Sequence, residues 1–119
     1  MSAKENAAVN QLFELLEARY AMRVLWALKD GHPQTFRLLQ DSVGGITPNT
    51  LNTRIKELRE AGLMTHGPDG YIVTPSGTDM LRRISDLNAF SAKWVASQAR
   101  KKAGDKPAAP PAAHAAANP

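Results

Sequence analysis

Amide, hydroxyl and cationic side chains cluster in the segment that begins at Thr47. Its first two helical turns hold no acidic residue, because the acids Glu57 and Glu60 come only near its end. Asparagine pairs well with adenine and arginine with guanine in the major groove of DNA, which is wide enough to admit a helix. The pattern therefore predicts contacts with DNA bases, although an ordinary solvated helix face remains the alternative. The residues predicted to make these contacts are Asn49, Thr50, Asn52, Thr53, Arg54 and Lys56.

Contacts with DNA phosphates would need further cations beside that segment. Arg37 and Arg59 are the candidates within the body of the chain, and the basic C-terminal tail is another. His66 stands near a predicted hairpin tip that otherwise carries Pro68 and Asp69. We assign His66 to DNA binding as well, but a solvated turn explains this tip equally well.

A helix is predicted over about residues 47–61. Thr47 can cap the first turn through its hydroxyl, and Pro48 suits the first helical position because its missing N–H is not needed there. Gly62 provides the residue that ends the helix. Leu51, Ile55 and Leu58 follow at helical spacing and predict a buried stripe.

A tight hairpin is predicted directly after this helix, over residues 63–74. Residues 63–66 and 71–74 read as strands, and Gly67-Pro68-Asp69-Gly70 reads as a four-residue tip. Thr74-Pro75 repeats the arrangement of a cap followed by proline, so another helix should begin there. A helix followed by a hairpin is the order of a winged helix.

Helices are also predicted on both sides of this unit. The first two span residues 5–17 and 18–30, with Gly31 ending the second. Residues 34–36 fit either a short extended segment or the start of a third helix capped by Thr35. A single long helix from Pro75 to about Ala99 would measure roughly 37 Å.

The terminal helices carry apolar side chains beyond the length that one small domain can cover. We therefore predict a symmetric homodimer joined by the N- and C-terminal helices. The predicted interface residues are Leu12, Phe13, Leu16, Ile84, Leu87, Ser91, Trp94 and Val95.

Charge and composition divide the 119-residue chain at about residue 99. Residues 100–119 are rich in alanine and proline, carry four cations against one acid and contain no large apolar residue, so we expect a disordered basic tail. Residues 1–99 hold eleven basic and ten acidic residues and form the predicted DNA-binding domain. Net charge alone therefore gives no reason to expect nucleic acid as a partner.

Several functions are excluded or lack support. The chain has no cysteine, which rules out disulfides and thiol-based sensing, and its three histidines match no metal-ligand spacing. No phosphate-binding loop or nucleophile motif occurs, so we predict neither an enzyme nor a cofactor. No signal peptide or apolar run of eighteen residues occurs either, which predicts a cytoplasmic protein without a membrane partner.

Taken together, these segments resemble the HxlR family of bacterial winged-helix transcription regulators, which is close to the MarR-like group. The resemblance spans residues 12–96. It is carried by Leu15-Leu16 through Arg19-Tyr20, Val24-Leu25 to Asp30-Gly31, Phe36 with Leu38-Leu39, Gly45-Ile46-Thr47, Leu51, Arg54, Ile55, Glu57-Leu58, Ala61-Gly62-Leu63 and the run from Tyr71 to Gly77.

The resemblance implies a homodimer with the helix after Thr47 in the major groove and the hairpin as the wing. It also places Pro48 with Asn49, Asn52, Thr53 and Arg54 at DNA-facing positions. The chain departs from the family in lacking the sensor cysteine of many members, in carrying Gln34-Thr35 where a basic pair is common, and in having a shorter wing.

Two other functions stay open. A winged-helix module that binds protein rather than DNA fits the nearly neutral body. A regulator gated by a small molecule would use aromatic residues such as Trp94 near the dimer interface, although aromatic residues at helical spacing more often belong to a core.

Overall fold

The computed structural model describes residues 2–105, which form six helices and one antiparallel hairpin. This confirms the predicted fold class, which is mainly α with a small β-hairpin. The helices are α1 (Ala3–Leu16), α2 (Ala21–Ala27), α3 (Phe36–Val43), α4 (Pro48–Glu60), α5 (Pro75–Arg83) and α6 (Leu87–Asp105), and the strands are β1 (Met64–Gly67) and β2 (Gly70–Val73). The chain divides into two compact units, one ending at Arg83 and the other beginning at Ile84.

The core of the first unit is built mainly from α2, α3 and α4. The stripe predicted for α4 is buried as expected, with Leu51 and Leu58 at 0% exposure and Ile55 at 4%. The other buried apolar side chains are Ala21, Val24, Leu25, Leu28, Leu39, Val43, Ile46, Met64 and Leu81. No polar or charged residue is buried within residues 2–104, so apolar burial dominates the packing that holds α4 in place.

The first two helices differ from their predicted bounds. α1 begins at Ala3 because Ser2 and Glu5 form a capping box, in which each side chain bonds to the other residue's backbone N–H. The predicted second helix is wrong at its start, because Tyr20 has a φ of +73°, which no α-helical residue adopts. It also ends earlier, at Ala27, and Gly31 completes the turn that follows with a φ of +81°.

Both interpretations of residues 34–36 describe part of the structure. Thr35 caps α3, since its hydroxyl oxygen accepts a hydrogen bond from Leu38 N at 3.2 Å. Gln34, one residue earlier, is extended and pairs with Tyr71 of the hairpin. The segment is therefore a one-residue bridge followed by a helix.

The prediction of one long helix from Pro75 to Ala99 is wrong, because residues 84–86 form a turn between α5 and α6. Leu87 N donates to Ile84 O and Asn88 N donates to Ser85 O. These hydrogen bonds span three residues, whereas the bonds of an α-helix span four. Ser85 and Asp86 have short polar side chains that compete for backbone groups and favour turns over helix interiors.

The predicted boundary at residue 99 falls inside α6, which continues to Asp105. Residues 100–105, expected to be disordered, are therefore helical. The remainder of the predicted tail, residues 106–119, lies outside the described residues. Within residues 2–105, no helix is long and apolar enough to span a membrane.

Candidate nucleic-acid interface

The connection between α3 and α4 is a short turn with two consecutive glycines in the positive-φ region. Gly44 has a φ of +76° and Gly45 a φ of +67°, which side chains disfavour. Ile46 follows with 4% exposure, and Gln40 Nε2 donates to its carbonyl oxygen at 3.1 Å. The turn therefore fixes the direction in which α4 leaves α3.

The first turn of α4 is capped as the sequence predicted. Thr47 Oγ1 accepts a hydrogen bond from Thr50 N at 3.3 Å, and Pro48 occupies the first turn. The Thr47 hydroxyl also donates to Thr50 Oγ1 at 3.1 Å. Thr50 is consequently half-buried and engaged in the cap, so it presents less of its side chain to a ligand than its predicted role requires.

Most of the residues of α4 that are predicted to contact DNA share one exposed face of the helix. Their spacing of three and four residues places them on neighbouring turns, outside the buried stripe. Thr53 Oγ1 donates to Asn49 O at 3.0 Å, and its oxygen keeps the capacity to accept. The exposed members are Pro48, Asn49, Asn52, Thr53, Lys56 and Arg59.

Arg54 does not share the exposed face on which its residue type predicts it. Its side chain is only 17% exposed. Nε donates to Arg19 O at 2.9 Å, and Nη1 pairs with Glu57 Oε1. The signal was present in the sequence, because Arg54 follows Leu51 by three residues and precedes Leu58 by four, which is the spacing of the buried stripe.

The hairpin is tighter than predicted. β1 and β2 pair from Met64–Val73 to Gly67–Gly70, which leaves a turn of two residues, Pro68 and Asp69, in place of the expected tip of four. His66 is exposed, and its ring lies 4.5 Å from that of Tyr71 at an angle of 53°. This contact places His66 on the hairpin surface beside its cross-strand neighbour.

An open cleft of about 490 Å³ lies between α4 and the hairpin. Ile55 and Met64 form its buried floor. Its other lining residues are Asn52, Lys56, Arg59, Glu60, Thr65 and Tyr71. Neither Lys56 nor Arg59 forms an ion pair with another residue of the described chain, so two cations remain available at this cleft.

The predicted phosphate contact Arg37 is exposed on α3. Among the described residues, no group of three or more acidic or histidine side chains could hold a metal ion.

In the first unit, the predicted dimer residues lie at the surface of α1. Phe13 is 54% exposed and Leu12 is 36% exposed, while Leu16 is half-buried. α1 contains no buried residue over its fourteen positions. Contact between an apolar surface of this kind and water is unfavourable for a monomer.

In the second unit, the predicted dimer residues of α6 are also exposed. Leu87, Trp94 and Val95 are 46%, 53% and 57% exposed, and Ile84 is half-buried in the preceding turn. The Ser91 hydroxyl bonds to Leu87 O on its own helix. Phe90 is 60% exposed and was left out of the predicted set, although its spacing from Leu87 and Trp94 could have indicated it.

Comparison with known proteins gives one family match and several structural matches. The sequence model described as HxlR-like helix-turn-helix matches residues 15–99. No curated protein matches the chain.

Three solved structures illustrate the structural likeness. Quinone-bound YodB from Bacillus subtilis is 23% identical, with a TM-score of 0.65 over 73% of this chain and 98% of its own. A MarR family transcriptional regulator from Enterococcus faecalis V583 is 20% identical, with a TM-score of 0.66 over 84% and 96%. A possible HxlR family transcriptional factor from Thermoplasma volcanium GSS1 is 26% identical, with a TM-score of 0.61 over 70% and 80%.

Proposed function

The chain belongs to the HxlR-like helix-turn-helix family, and on that premise we propose that it is a sequence-specific transcription regulator that binds double-stranded DNA as a homodimer. The observation that carries the proposal is the exposed face of α4, where amide, hydroxyl and cationic groups occur together and no acid occurs before Glu57. A helix with this surface fits the major groove and can hydrogen-bond to base edges.

Base recognition is assigned to Asn49 and Asn52, with Thr53 beside them. Both asparagines are exposed, and their amides can donate to and accept from an adenine edge at the same time. Pro48 and Thr50 start the helix near the same surface. Thr50 would serve mainly through the cap that it completes with Thr47.

Phosphate contacts are assigned to the cleft between α4 and the hairpin. Lys56 and Arg59 border it without ion-pair partners among the described residues, and Thr65 of β1 lines it as well. In a winged helix docked in the major groove, the sugar-phosphate backbone beside that groove would enter this cleft. Arg37 and His66 are proposed as further contacts on either side.

Dimerisation is assigned to the apolar surfaces of α1 and α6, which carry the exposed side chains of Phe13, Leu87, Trp94 and Val95. Two copies related by a two-fold axis would present two α4 helices to a pseudo-palindromic site. Half-sites about 34–36 Å apart, one turn of DNA, would accommodate them.

Selection of bound DNA from a random pool tests this function directly. The proposal predicts an enriched pseudo-palindromic motif and a binding constant that falls steeply with added salt, because phosphate contacts release counterions. Failure to retain any fragment at low salt would contradict it. The alternative is a winged helix that binds another protein, and the nearly neutral body of the chain makes it worth testing. Binding to a protein partner with a binding constant that does not change with added salt would favour this alternative.

A small-molecule effector is a second proposal, supported by the exposed aromatic side chains of Phe90 and Trp94 on α6. YodB, whose fold is similar, was solved with a quinone bound, but this chain has no cysteine through which a thiol reaction could occur. Tryptophan fluorescence titrated with a panel of aromatic and quinonoid compounds tests the idea. A Trp94→Phe variant separates the response of α6 from that of Trp26.

A further inference from the structure

Arg54 is the one cation of α4 that faces the protein interior. Its guanidinium bridges two acceptors in different parts of the chain, the backbone oxygen of Arg19 at 2.9 Å and the carboxylate of Glu57 one turn along the same helix. Only 17% of the side chain is exposed. Because Nε is already engaged, a bidentate contact with a base through Nε and Nη2 would have to replace the bond to Arg19 O.

The segment held by Arg54 is the junction between α1 and α2. Arg19 is followed by Tyr20, the only residue other than glycine with positive φ in the described chain, at +73°. A conformation of this kind persists only when its surroundings hold it in place. The Arg19 guanidinium lies 4.9 Å from the centre of the Tyr20 ring.

The same junction also touches the turn that precedes α4. Tyr20 OH donates to Gly45 O at 3.3 Å, so the junction is bonded to the α3–α4 turn as well as to α4 itself. α1 ends only a few residues earlier, at Leu16. Two hydrogen bonds thus tie α4 and the turn before it to the junction that follows α1, the helix whose outer surface we assign to dimerisation.

We infer that Arg54 is a positioning residue: it locks α4 to the α1–α2 junction and thereby orients the base-reading face, and it contacts no base itself. This inference rests on the proposed function. Lysine cannot replace arginine fully, because a single ammonium lacks the rigid fork that reaches a carbonyl and a carboxylate at the same time.

DNA binding by variants at Arg54 and Arg59 distinguishes positioning from contact. In Arg54→Ala we expect binding to weaken by about tenfold for every sequence, with an unchanged order of base preference and an unchanged salt slope. In the control Arg59→Ala, an exposed cation of the same helix, the salt slope should fall by about one. Loss of preference at one base pair, or a lower salt slope in Arg54→Ala, would overturn the inference.

Glu57→Gln provides a second test that does not depend on the folding of Arg54→Ala. Removing an acid near DNA should strengthen binding if only charge matters. If Glu57 instead helps to hold Arg54 in place, binding should weaken for all sequences, and it should weaken less than in Arg54→Ala. Tighter binding by Glu57→Gln would count against the positioning role.

Hydrogen exchange tests the lock without DNA. The backbone amides of Ala21 and Val24 bond to Ala18 O and Tyr20 O, so they report on the junction. Their exchange should quicken by about tenfold in Arg54→Ala and stay unchanged in Arg59→Ala. Unchanged exchange in Arg54→Ala would overturn this inference alone, whereas a wild-type protein that binds no DNA would overturn the proposed function.

Discussion

Gln34 and Tyr71 are joined by two backbone hydrogen bonds, from Gln34 N to Tyr71 O at 3.0 Å and from Tyr71 N to Gln34 O at 2.8 Å. The Gln34 side chain donates to Ala27 O at 2.8 Å and accepts from the Ser42 hydroxyl at 3.2 Å. One residue therefore links α2, α3 and the hairpin. The wing is thereby held at a defined place relative to α2 and α3, which share a core with the helix that we propose to bind DNA.

Gly70→Ala should release the wing from this bridge. An added Cβ would lie 2.7 Å from the backbone carbon and oxygen of Gln34, and Gly70 has a φ of +139°. We expect a loss of about 2–5 kcal/mol in the free energy of unfolding, measured by urea denaturation. Gly31→Ala is the matched control, because it has a positive φ but no atom within 4 Å of the added Cβ, and it should cost only about 1–2 kcal/mol. Equal losses in the two variants would contradict the close contact with Gln34.

Gly77→Ala should destabilise the protein although alanine favours helices. Gly77 is a buried residue of α5, and an added Cβ would lie 2.1 Å from Leu63 O, so α5 would have to move away from the start of the hairpin. We expect a loss of about 1–3 kcal/mol in thermal or urea unfolding. Gly104→Ala on α6 meets no atom within 4 Å and should preserve or slightly raise helix content. A stabilised Gly77→Ala variant would disprove this packing.

Asn52→Ala should relax base discrimination while leaving the fold intact. Asn52 is exposed on α4 outside the buried stripe, so its amide adds nothing to the core. We expect a loss of about 1–3 kcal/mol of preference at one base pair of each half-site, measured by competition between the selected sequence and its single-base variants. A uniform loss over all sequences would assign Asn52 to the DNA backbone instead.

Lys56→Ala should weaken DNA binding without changing its sequence preference. Lys56 borders the cleft between α4 and the hairpin and lacks an ion-pair partner among the described residues. The plot of log binding constant against log salt should become shallower by about 0.9 for each phosphate that the variant no longer neutralises. Lys29→Ala, which removes a cation that pairs with Asp30 just after α2, should leave that slope unchanged.

If the proposed dimer forms through α6, Trp94→Glu should shift the protein towards the monomer. The Trp94 side chain is 53% exposed on α6, next to the exposed Val95, and an acid there would oppose burial between two copies. Analytical ultracentrifugation should show at least a roughly tenfold weaker self-association. Gln98→Glu adds the same charge one turn further along. If both variants associate as tightly as the wild type, α6 does not form the interface.

Local signals in the sequence predicted the centre of the molecule well. Thr47 and Pro48 start α4 and Gly62 ends it, because a cap, a fixed φ and a residue tolerant of positive φ each act within one turn. The hairpin followed from Pro68 and Gly70 for the same reason. Errors there were small and concerned only where the strands end.

Features that depend on distant contacts were missed. The left-handed Tyr20 shortens the predicted second helix. Its hydroxyl bonds to Gly45 O, 25 residues away, and the neighbouring Arg19 O accepts from Arg54, 35 residues away. Arg54 was assigned by residue type, although its spacing from Leu51 and Leu58 placed it on the inner stripe. The break at residues 84–86 could not be predicted from hydrophobic spacing, because the apolar pattern continues through both α5 and α6.

α1 is a helix of fourteen residues without one buried side chain, started by the Ser2–Glu5 capping box. Short helices are marginal in water unless packing supports them. If two chains supply that packing, helix content and melting temperature should rise with protein concentration. The amount of protein in the cell would then set both how much of it is fully folded and how many operators are occupied, so a modest change in expression would produce a steeper change in transcription.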